Sequence, residues 1–346
     1  MNDRPLVLCQ FFNSNNLMKI LFAIQGTGNG HISRAREIIP LLQQHGSVDI
    51  LISGTQSDVF PDQPLTYSLH GFSFVFGKKG GVNHWKTFEA MNLRQLYRDI
   101  KTLPLKNYDL IVNDFEPVTA WACKLQGLLS VALSHQASFL SKNTPRPSTS
   151  FHWAELIFRH YAPVTEKIAF HFERYDDFIH TPVIRSEIRN KETSDLGHVC
   201  VYLPAYDDKL LAGYLKQIPD VRWEVFTKHS KVIYDDANVH VRPINNEEFN
   251  RSLASSSGLL TGGGFEGPSE AMFLKKKVIV FPMNGQYEQA CNAEAARRMG
   301  VPVIYNLNEL VSKLKTWIAK PNELVVDFPD ETSDIISNMV AKYSKR

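Results

Sequence analysis

The chain has 346 residues, of which 43% are hydrophobic and 21% are charged, and its formal net charge is +2 at pH 7. This is an ordinary globular composition, long enough for two cores, and the near-neutral charge gives no reason to expect a nucleic-acid partner. The four cysteines are scattered without a Cys-x-x-Cys pair, which argues against a disulfide framework or a zinc site and favours a reducing, cytoplasmic setting. No apolar run approaches the roughly 20 residues that a membrane-spanning helix needs.

The first residues differ in character from the rest of the chain. Residues 1–17 have an apolar patch but no small-residue cleavage site, so they are not expected to be a signal peptide. A strand pattern begins at Met18, and we interpret Met18 as the natural start and residues 1–17 as an N-terminal extension. From there strands and helices alternate, which predicts parallel sheets of the α/β class.

The first predicted unit is a strand, a glycine-rich loop, a helix and a second strand. The strands are Ile20–Ile24 and Val48–Ser53, and the loop between the first strand and the helix is Gln25–His31. The loop lies at the carboxyl end of a strand, where open α/β sheets bind ligands. A dinucleotide fingerprint would need glycine in place of His31, and no acidic residue ends the second strand, which argues against an NAD site.

Two later strands of the first half are followed by polar residues. The strands are predicted over Asp109–Val112 and Leu128–Leu133. Asp114 and Glu116 follow the first of them, and His135 follows the second. Residues 151–175 then carry an aromatic-rich helical pattern, whose histidines we interpret as packing or surface residues because no His-Glu-x-x-His motif occurs.

A polar stretch with charges of both signs, residues 185–196, is interpreted as a domain boundary. A second α/β run follows it. Its predicted strands are His198–Leu203, Trp223–Thr227, Val239–Arg242, Gly258–Leu260, Val278–Phe281 and Val301–Tyr305. Its predicted helices are Lys209–Gln217, Glu247–Ser255, Ser269–Leu274, a helix ending at Met299, a helix from Leu307 to Ile318, and a terminal helix over Glu331–Lys342.

The most informative stretch is Thr261–Ala293, which opens with three consecutive glycines after a strand. A glycine turn leading into a helix N-terminus presents N–H groups and the positive end of the helix dipole, which together bind anions. Glu270 lies within about the first turn of that helix, and Glu288, Gln289 and Asn292 follow the next strand. A turn that merely joins strand to helix is the alternative interpretation.

The two loops together resemble the nucleotide-sugar site of inverting GT-B glycosyltransferases, families 1 and 28. The family pattern is a Gly-rich turn, a Glu, a strand ending in Pro, and Asp-Gln-x-x-Asn-Ala, whose last part reads Glu288 to Ala293 here. The family loop Gly-x-x-x-Gly-His is matched by Gly26 to His31. The resemblance implies two Rossmann-like parallel-sheet domains facing a cleft. Residues 18–184 would be the acceptor side, residues 185–325 would bind the nucleotide sugar, and a helix in 326–346 would pack back on the first domain.

The resemblance also implies roles for individual residues. Gly263 and Gly264 would hold the diphosphate. Glu270 would bind the ribose hydroxyls, and Glu288 with Gln289 the hydroxyls of the sugar. The further donor-side candidates are Gly28, Gly30, Gly262, Phe265, Glu266, Ile244 and Asn292, and the acceptor-side candidates are Asn29, Glu116 and His135.

Two departures from the family pattern matter. The plant-type members have a phosphate-binding His where this chain has Gly262, so backbone amides would carry more of that work. Their Asp is Glu288 here, which leaves the preferred sugar open. In family members, loops such as residues 54–86, with Lys78 and Lys79, line the acceptor site, although a solvated loop is the simpler interpretation.

An acceptor hydroxyl needs a base, and many family 1 members use a His at the position of His31. Asp114 is the first candidate to orient that imidazole, and Glu116 is the second. The simpler alternatives are a His31 that only caps the loop and an Asp114 that caps the helix before Pro117. The expected reaction is one in-line displacement that inverts the anomeric carbon, without metal or cofactor, because glycine-turn amides can meet the charge of the leaving diphosphate.

Two other functions share these features: a nucleotide-sugar 2-epimerase of the same fold, which needs no acceptor, and a non-catalytic nucleotide-sugar-binding protein. A UDP-sugar is the usual donor of the family, whereas the acceptor is not indicated. The lysines Lys275–Lys277 and those at 78–79 would suit a lipid phosphate or an anionic membrane surface, which keeps a lipid-linked acceptor and peripheral contact with the inner face of the membrane open. Lysines at a solvated helix end are the simpler explanation.

Overall fold

The computed structural model of the protein describes residues 18–26, 29–54, 63–71, 93–148 and 152–345. Several positions named above lie outside the described residues. These are the extension 1–17, Gly28 and most of the loop 54–86, including Lys78 and Lys79.

The first half of the chain forms one parallel sheet. Its strands are β1 Lys19–Gln25, β2 Ser47–Ser53, β3 Tyr67–Leu69, β4 Leu110–Asp114, β5 Val131–Ser134, β6 Glu166–Phe170 and β7 Ile179–His180. Within the described residues the order is β3-β2-β1-β4-β5-β6-β7, and every neighbouring pair is parallel. The central strand β1 is fully buried from Ile20 to Ile24, because a parallel strand in the middle of a sheet is covered on both faces.

The second half forms a second sheet. Its strands are β8 His198–Tyr202, β9 Arg222–Thr227, β10 Tyr234–Asp236, β11 Val239–Pro243, β12 Gly258–Thr261 and β13 Lys277–Val280. Within the described residues the order is β10-β11-β9-β8-β12-β13, parallel except for the edge strand β10, which runs antiparallel to β11. The prediction of two mostly parallel α/β sheets is confirmed.

Helices connect the strands of both sheets. In the first half they are α1 Asn29–Gln43, α2 Leu93–Thr102, α3 Pro117–Gln126 and α4 His152–His160. In the second half they are α5 Ser186–Arg189, α6 Asp208–Leu215, α7 Asn246–Ser255, α8 Glu266–Phe273, α9 Tyr287–Arg298, α10 Leu310–Ala319 and α11 Thr332–Tyr343. Short 3₁₀ helices cover Leu105–Asn107, Gln136–Leu140 and Leu307–Glu309.

Two predicted elements are wrong. Residues 151–175 do not form one helical segment, because α4 is followed by β6, which pairs with β5. A short apolar segment suits either a helix or a strand, and here the pairing with β5 decides. The predicted strand over residues 301–305 is reduced to one bridge between Val280 and Val303, since Pro302 lacks the N–H that a longer ladder needs.

The two halves are packed together. One cluster of buried apolar residues contains side chains of both, and the rings of Phe172 and Phe265 lie 5.2 Å apart in it. The end of the chain returns to the first sheet, where the Tyr343 hydroxyl donates to Glu166 at 3.0 Å. Across the described part of the chain, none of the helices has the length and apolar character that crossing a bilayer requires.

Gly258→Ala and Gly213→Ala should change stability in opposite directions. A Cβ at Gly258 on β12 would lie 2.8 Å from the backbone oxygen of Lys277 and 2.8 Å from the ring of Trp317. We expect Gly258→Ala to lower the free energy of unfolding by about 1–3 kcal/mol, because the strand backbone has no room to yield.

Gly213 is the matched control, since a Cβ there, on the outside of α6, would meet no neighbouring atom within 4 Å. Gly213→Ala should raise the free energy of unfolding by about 0.5–1 kcal/mol, because alanine favours the helical backbone. Denaturant titration measures both variants. Two effects of the same sign would contradict the packing argument.

Candidate functional site

His31 and Asp114 meet at the carboxyl edge of the first sheet. His31 lies in the first turn of α1, and Asp114 is the last residue of β4, next to β1. The His31 Nδ1 atom lies 3.0 Å from Asp114 Oδ1. Because a carboxylate can only accept, we assign a hydrogen to Nδ1 from this shorter contact, and the lone pair of the neutral imidazole is then on Nε2. The predicted pair therefore has the geometry of a base and the carboxylate that orients it.

Arg34 is a third member of this group that the sequence analysis missed. Its Nη2 donates to both oxygens of Asp114, at 2.7 and 2.9 Å, and its Nη1 donates to Glu266 on α8. Arg34 is 2% exposed and Asp114 is 0% exposed. Burial by itself would raise the pKa of Asp114, but Arg34 and His31 outweigh it, so the pKa lies below the ordinary carboxyl value. Asp114 is therefore held ionised.

A sequence signal for Arg34 exists in retrospect. It lies three residues after His31 in α1, and residues three apart share one face of a helix. The neighbouring Gly30 lies against the Glu266 carboxylate, and a Cβ there would lie 2.5 Å from its oxygen, so this side chain would have to shift. Gly30, a predicted donor-side residue, thus makes room for a side chain of the other half.

The glycine turn lies between β12 and α8 and is braced from α9. The Gly263 N–H donates to Gln289 Oε1 at 3.1 Å, and Asn292 Nδ2 donates to the Gly263 oxygen at 3.1 Å. A Cβ at Gly263 would lie 2.6 Å from the Gln289 backbone oxygen, so glycine is needed there. Gly264 is exposed and Gly262 half-buried. The turn therefore keeps an open outer side at the N-terminus of α8, where an anion is favoured.

Glu270, the predicted ribose ligand, is held by an arginine of the segment between the sheets. Arg185 donates from Nε to Oε1 at 2.5 Å and from Nη2 to Oε2 at 2.8 Å. Glu270 is 4% exposed, and its burial raises its pKa even though Arg185 acts in the opposite direction. A carboxylate has about four lone-pair sites, so this fork leaves acceptor capacity on both oxygens.

Gln136 connects the two halves beside His31. It begins the 3₁₀ helix that follows β5, and its Nε2 lies 3.4 Å from His31 Nε2. The same Nε2 donates to Glu288 Oε1 on α9 at 3.1 Å. The sequence analysis missed Gln136 as well. The lone pair of His31 therefore faces the junction between the halves, next to the predicted sugar residue Glu288.

The residues predicted on the acceptor side lie in different environments in the structure. Glu116 is fully buried and caps α3, where its oxygens accept from the N–H groups of Val118 and Thr119, both at 2.7 Å. It therefore takes no part in an open site, and it, rather than Asp114, is the helix cap. Asn29 begins α1 and is half-buried.

His135 and Phe265 pack against each other across the halves. Their rings are stacked with centroids 3.9 Å apart, and His135 bonds the Phe170 oxygen and Asn292, both at 2.9 Å. Burial lowers the pKa of His135. These contacts give His135 a packing role at the junction between the halves. Ile244, another donor-side prediction, packs partly buried against the main apolar cluster.

The lysine cluster Lys275–Lys277 is partly engaged in hydrogen bonds within the protein. Lys276 donates to the Ser194 oxygen at 2.5 Å, and Lys277 donates to the oxygens of Ile318 and Lys320 at 3.0 and 2.6 Å. Burial lowers the pKa of both amines. Two of these three lysines are thus used inside the molecule. Among the described residues, no group of three His, Cys, Asp or Glu side chains could hold a metal ion.

Comparison with protein families identifies the class of protein to which this site belongs. A family model described as Glycosyl transferase family 1 matches residues 18–320. The chain belongs to this family. The protein is therefore a glycosyltransferase, as predicted from the two glycine loops. Comparison with the curated proteins gives no match.

Solved structures similar to this glycosyltransferase share its fold. MurG of Acinetobacter baumannii is 14% identical with a TM-score of 0.58, over 94% of this chain and 100% of that one. UGT2 of Phytolacca americana, complexed with UDP-2-fluoro-glucose and pterostilbene, is 11% identical with a TM-score of 0.58, over 95% and 94%. A UDP-glucosyltransferase from Polygonum tinctorium is 12% identical with a TM-score of 0.59, over 95% and 94%. The predicted GT-B fold is confirmed.

Arg34→Met should destabilise the glycosyltransferase strongly. The change keeps most of the side-chain volume but leaves the buried Asp114 carboxylate without its cation. Removing one partner of a buried ion pair costs about 3–5 kcal/mol, which denaturant titration can measure. As the control, Arg251→Met breaks an exposed pair with Glu247 and should cost less than about 1 kcal/mol. Equal losses in both variants would contradict the assigned role of Arg34.

Proposed function

We propose that the protein is an inverting glycosyltransferase that moves a sugar from a UDP-sugar to an acceptor hydroxyl, with His31 as the general base. The observation that carries this proposal is the direction of the imidazole. Its Nδ1 is bound by Asp114, and its Nε2 faces Gln136, which donates to Glu288, the neighbour of the residue that braces the glycine turn of the other half. A base on one half and an anion site on the other is the arrangement that an in-line displacement needs.

The same arrangement suggests which groups would take up the proton and stabilise the charges that develop during the transfer. The acceptor hydroxyl would give its proton to His31 Nε2 while its oxygen attacks the anomeric carbon. The bond to the diphosphate would break on the opposite face, which inverts the carbon. The Gly263 N–H is donated to Gln289, so the N–H groups of the exposed Gly264 and of the N-terminus of α8 would meet the charge of the leaving diphosphate. Asp114, ionised beside Arg34, would stabilise the imidazolium that forms.

We assign the acceptor to the domain of the first sheet and the donor to the domain of the second sheet. Residues 18–184 would serve as the acceptor-side domain and residues 185–325 as the donor domain, with residues 326–346 returning to the first. The similar structures support UDP as the nucleotide, since one of them is complexed with UDP-2-fluoro-glucose and another is named as a UDP-glucosyltransferase.

His31→Gln should abolish most transfer while leaving donor binding unchanged. The donor is found first, by thermal shift with a panel of nucleotide sugars, and products formed with cell extracts, including lipid extracts, are then identified by mass spectrometry. Loss of a general base lowers kcat by about 10²–10⁴-fold. Donor affinity, measured by calorimetry, should change less than about twofold because His31 faces the acceptor.

His45→Gln is the matched control, because His45 follows the same helix α1 at its far end. It should transfer at the wild-type rate. Wild-type kcat in His31→Gln would remove His31 as the base. Scrambling of the donor sugar without any acceptor would instead indicate the 2-epimerase.

Glu270→Gln should weaken donor binding. A neutral amide accepts from only one of its two end atoms, so it would lose one hydrogen bond to a ribose hydroxyl and the charge that strengthens the other. Hydrogen bonds to charged groups are worth about 1.5–3 kcal/mol, which corresponds to about tenfold or more in the Kd of UDP measured by calorimetry. Glu247→Gln, at an exposed site, is the control. Unchanged affinity in Glu270→Gln would exclude the ribose role.

A further inference from the structure

Gln136 lies where a transferred sugar would have to be held. The sugar must lie between the glycine turn, which would bind the diphosphate, and the imidazole of His31, which would deprotonate the acceptor. Gln136 is 5% exposed and lies on the first half, between His31 and Glu288. Its Nε2 lies 3.4 Å from His31 Nε2 and donates to Glu288 Oε1 of the second half at 3.1 Å.

One atom of the Gln136 amide is left unpaired within the described part of the protein. The Oε1 of Gln136 is buried and has no hydrogen-bond partner among the described residues. A buried carbonyl oxygen without a partner costs free energy, so most such atoms in native proteins are satisfied. Since Nε2 donates to Glu288, the amide is held in one orientation, with Oε1 as its unpaired acceptor.

The carbonyl oxygen of Gln289, which resemblance suggested for this task, already has two partners within the protein. Gln289 was expected to bind sugar hydroxyls together with Glu288. Its Oε1 instead accepts from the N–H groups of Gly263 and Met283, at 3.1 and 2.8 Å. Its carbonyl therefore braces the glycine turn, and rotating it away would release two backbone donors. Glu288 keeps a partly exposed carboxylate, and the amide beside it comes from the opposite half.

We propose that Gln136 is a specificity-determining residue that contacts the donor sugar. Its Oε1 accepts a hydrogen bond from one hydroxyl of the transferred sugar, next to Glu288, which accepts from another. The inference rests on the proposed function, because it places the sugar between the glycine turn and His31. A site built to bind a hydroxyl discriminates strongly against sugars that lack it, since its buried polar atoms are then left unpaired.

Calorimetry with UDP and with UDP-glucose, UDP-galactose and UDP-N-acetylglucosamine tests the proposal without knowledge of the acceptor. Gln136→Leu removes the amide at nearly constant volume. We expect the UDP-sugar that binds best to the wild type to bind about tenfold more weakly, in line with one lost hydrogen bond to a buried partner. The Kd of UDP should stay within about twofold, because UDP has no sugar for Gln136 to contact.

A second set of probes identifies the hydroxyl. Analogues of the best UDP-sugar, each with one hydroxyl replaced by fluorine, are compared on the wild type and on Gln136→Leu. One analogue should lose about tenfold on the wild type and should bind the variant as well as its parent does, because the partner of that hydroxyl is already gone. Additive losses in this cycle would overturn the proposal.

The controls separate the possible failures. Gln217→Leu, at an exposed site on the second half, should bind every probe like the wild type. Thermal unfolding of each variant reports folding, and Gln136→Met replaces Gln136→Leu if the branched side chain disturbs the fold. A wild type that binds neither UDP nor any UDP-sugar contradicts the proposed function. A wild type that binds them, with Gln136 variants that bind equally well, contradicts only the role of Gln136.

Discussion

The charge of Asp114 is the constraint on which the site depends. This carboxylate has no exposed surface, and an isolated buried charge costs more free energy than the surrounding contacts can offset. Arg34 neutralises it with two hydrogen bonds, and because another nitrogen of the same guanidinium reaches Glu266, the cation also ties α1 to α8. One buried charge thus sets the direction of the His31 ring and the contact between the halves.

A buried arginine also holds a carboxylate on the other side of the site. Arg185 binds the two oxygens of Glu270 through two nitrogens, whereas Arg34 binds the two oxygens of Asp114 through one nitrogen. Buried ion pairs contribute little net stability, because the Coulomb attraction mainly offsets the cost of removing both charges from water. What they do provide is orientation. A catalytic or binding carboxylate must be held in one geometry, and a planar guanidinium does this better than a flexible ammonium.

Residues of the family signature hold the backbone of the glycine turn in place. Gln289 and Asn292 hold the turn at Gly263 from behind, and Asn292 also bonds His135 of the first half. Because the side chains brace the inner face, the outer residue Gly264 stays exposed at the start of α8. The signature residues thus shape the backbone of the turn, and Asn292 links the position of this backbone to the first half.

The sequence by itself determined the alternation of strands and helices, the two glycine loops and the meeting of His31 with Asp114, because the carboxyl ends of adjacent parallel strands share one edge. The partners of Arg34 and Gln136 could not be predicted from the sequence. The partners of Arg34 lie 80 and 232 residues away, and such pairings leave no local periodicity. The choice between Asp114 and Glu116 as helix cap was likewise made by tertiary structure: the buried guanidinium holds Asp114 in the site, and Glu116 is left to satisfy the backbone N–H groups of α3.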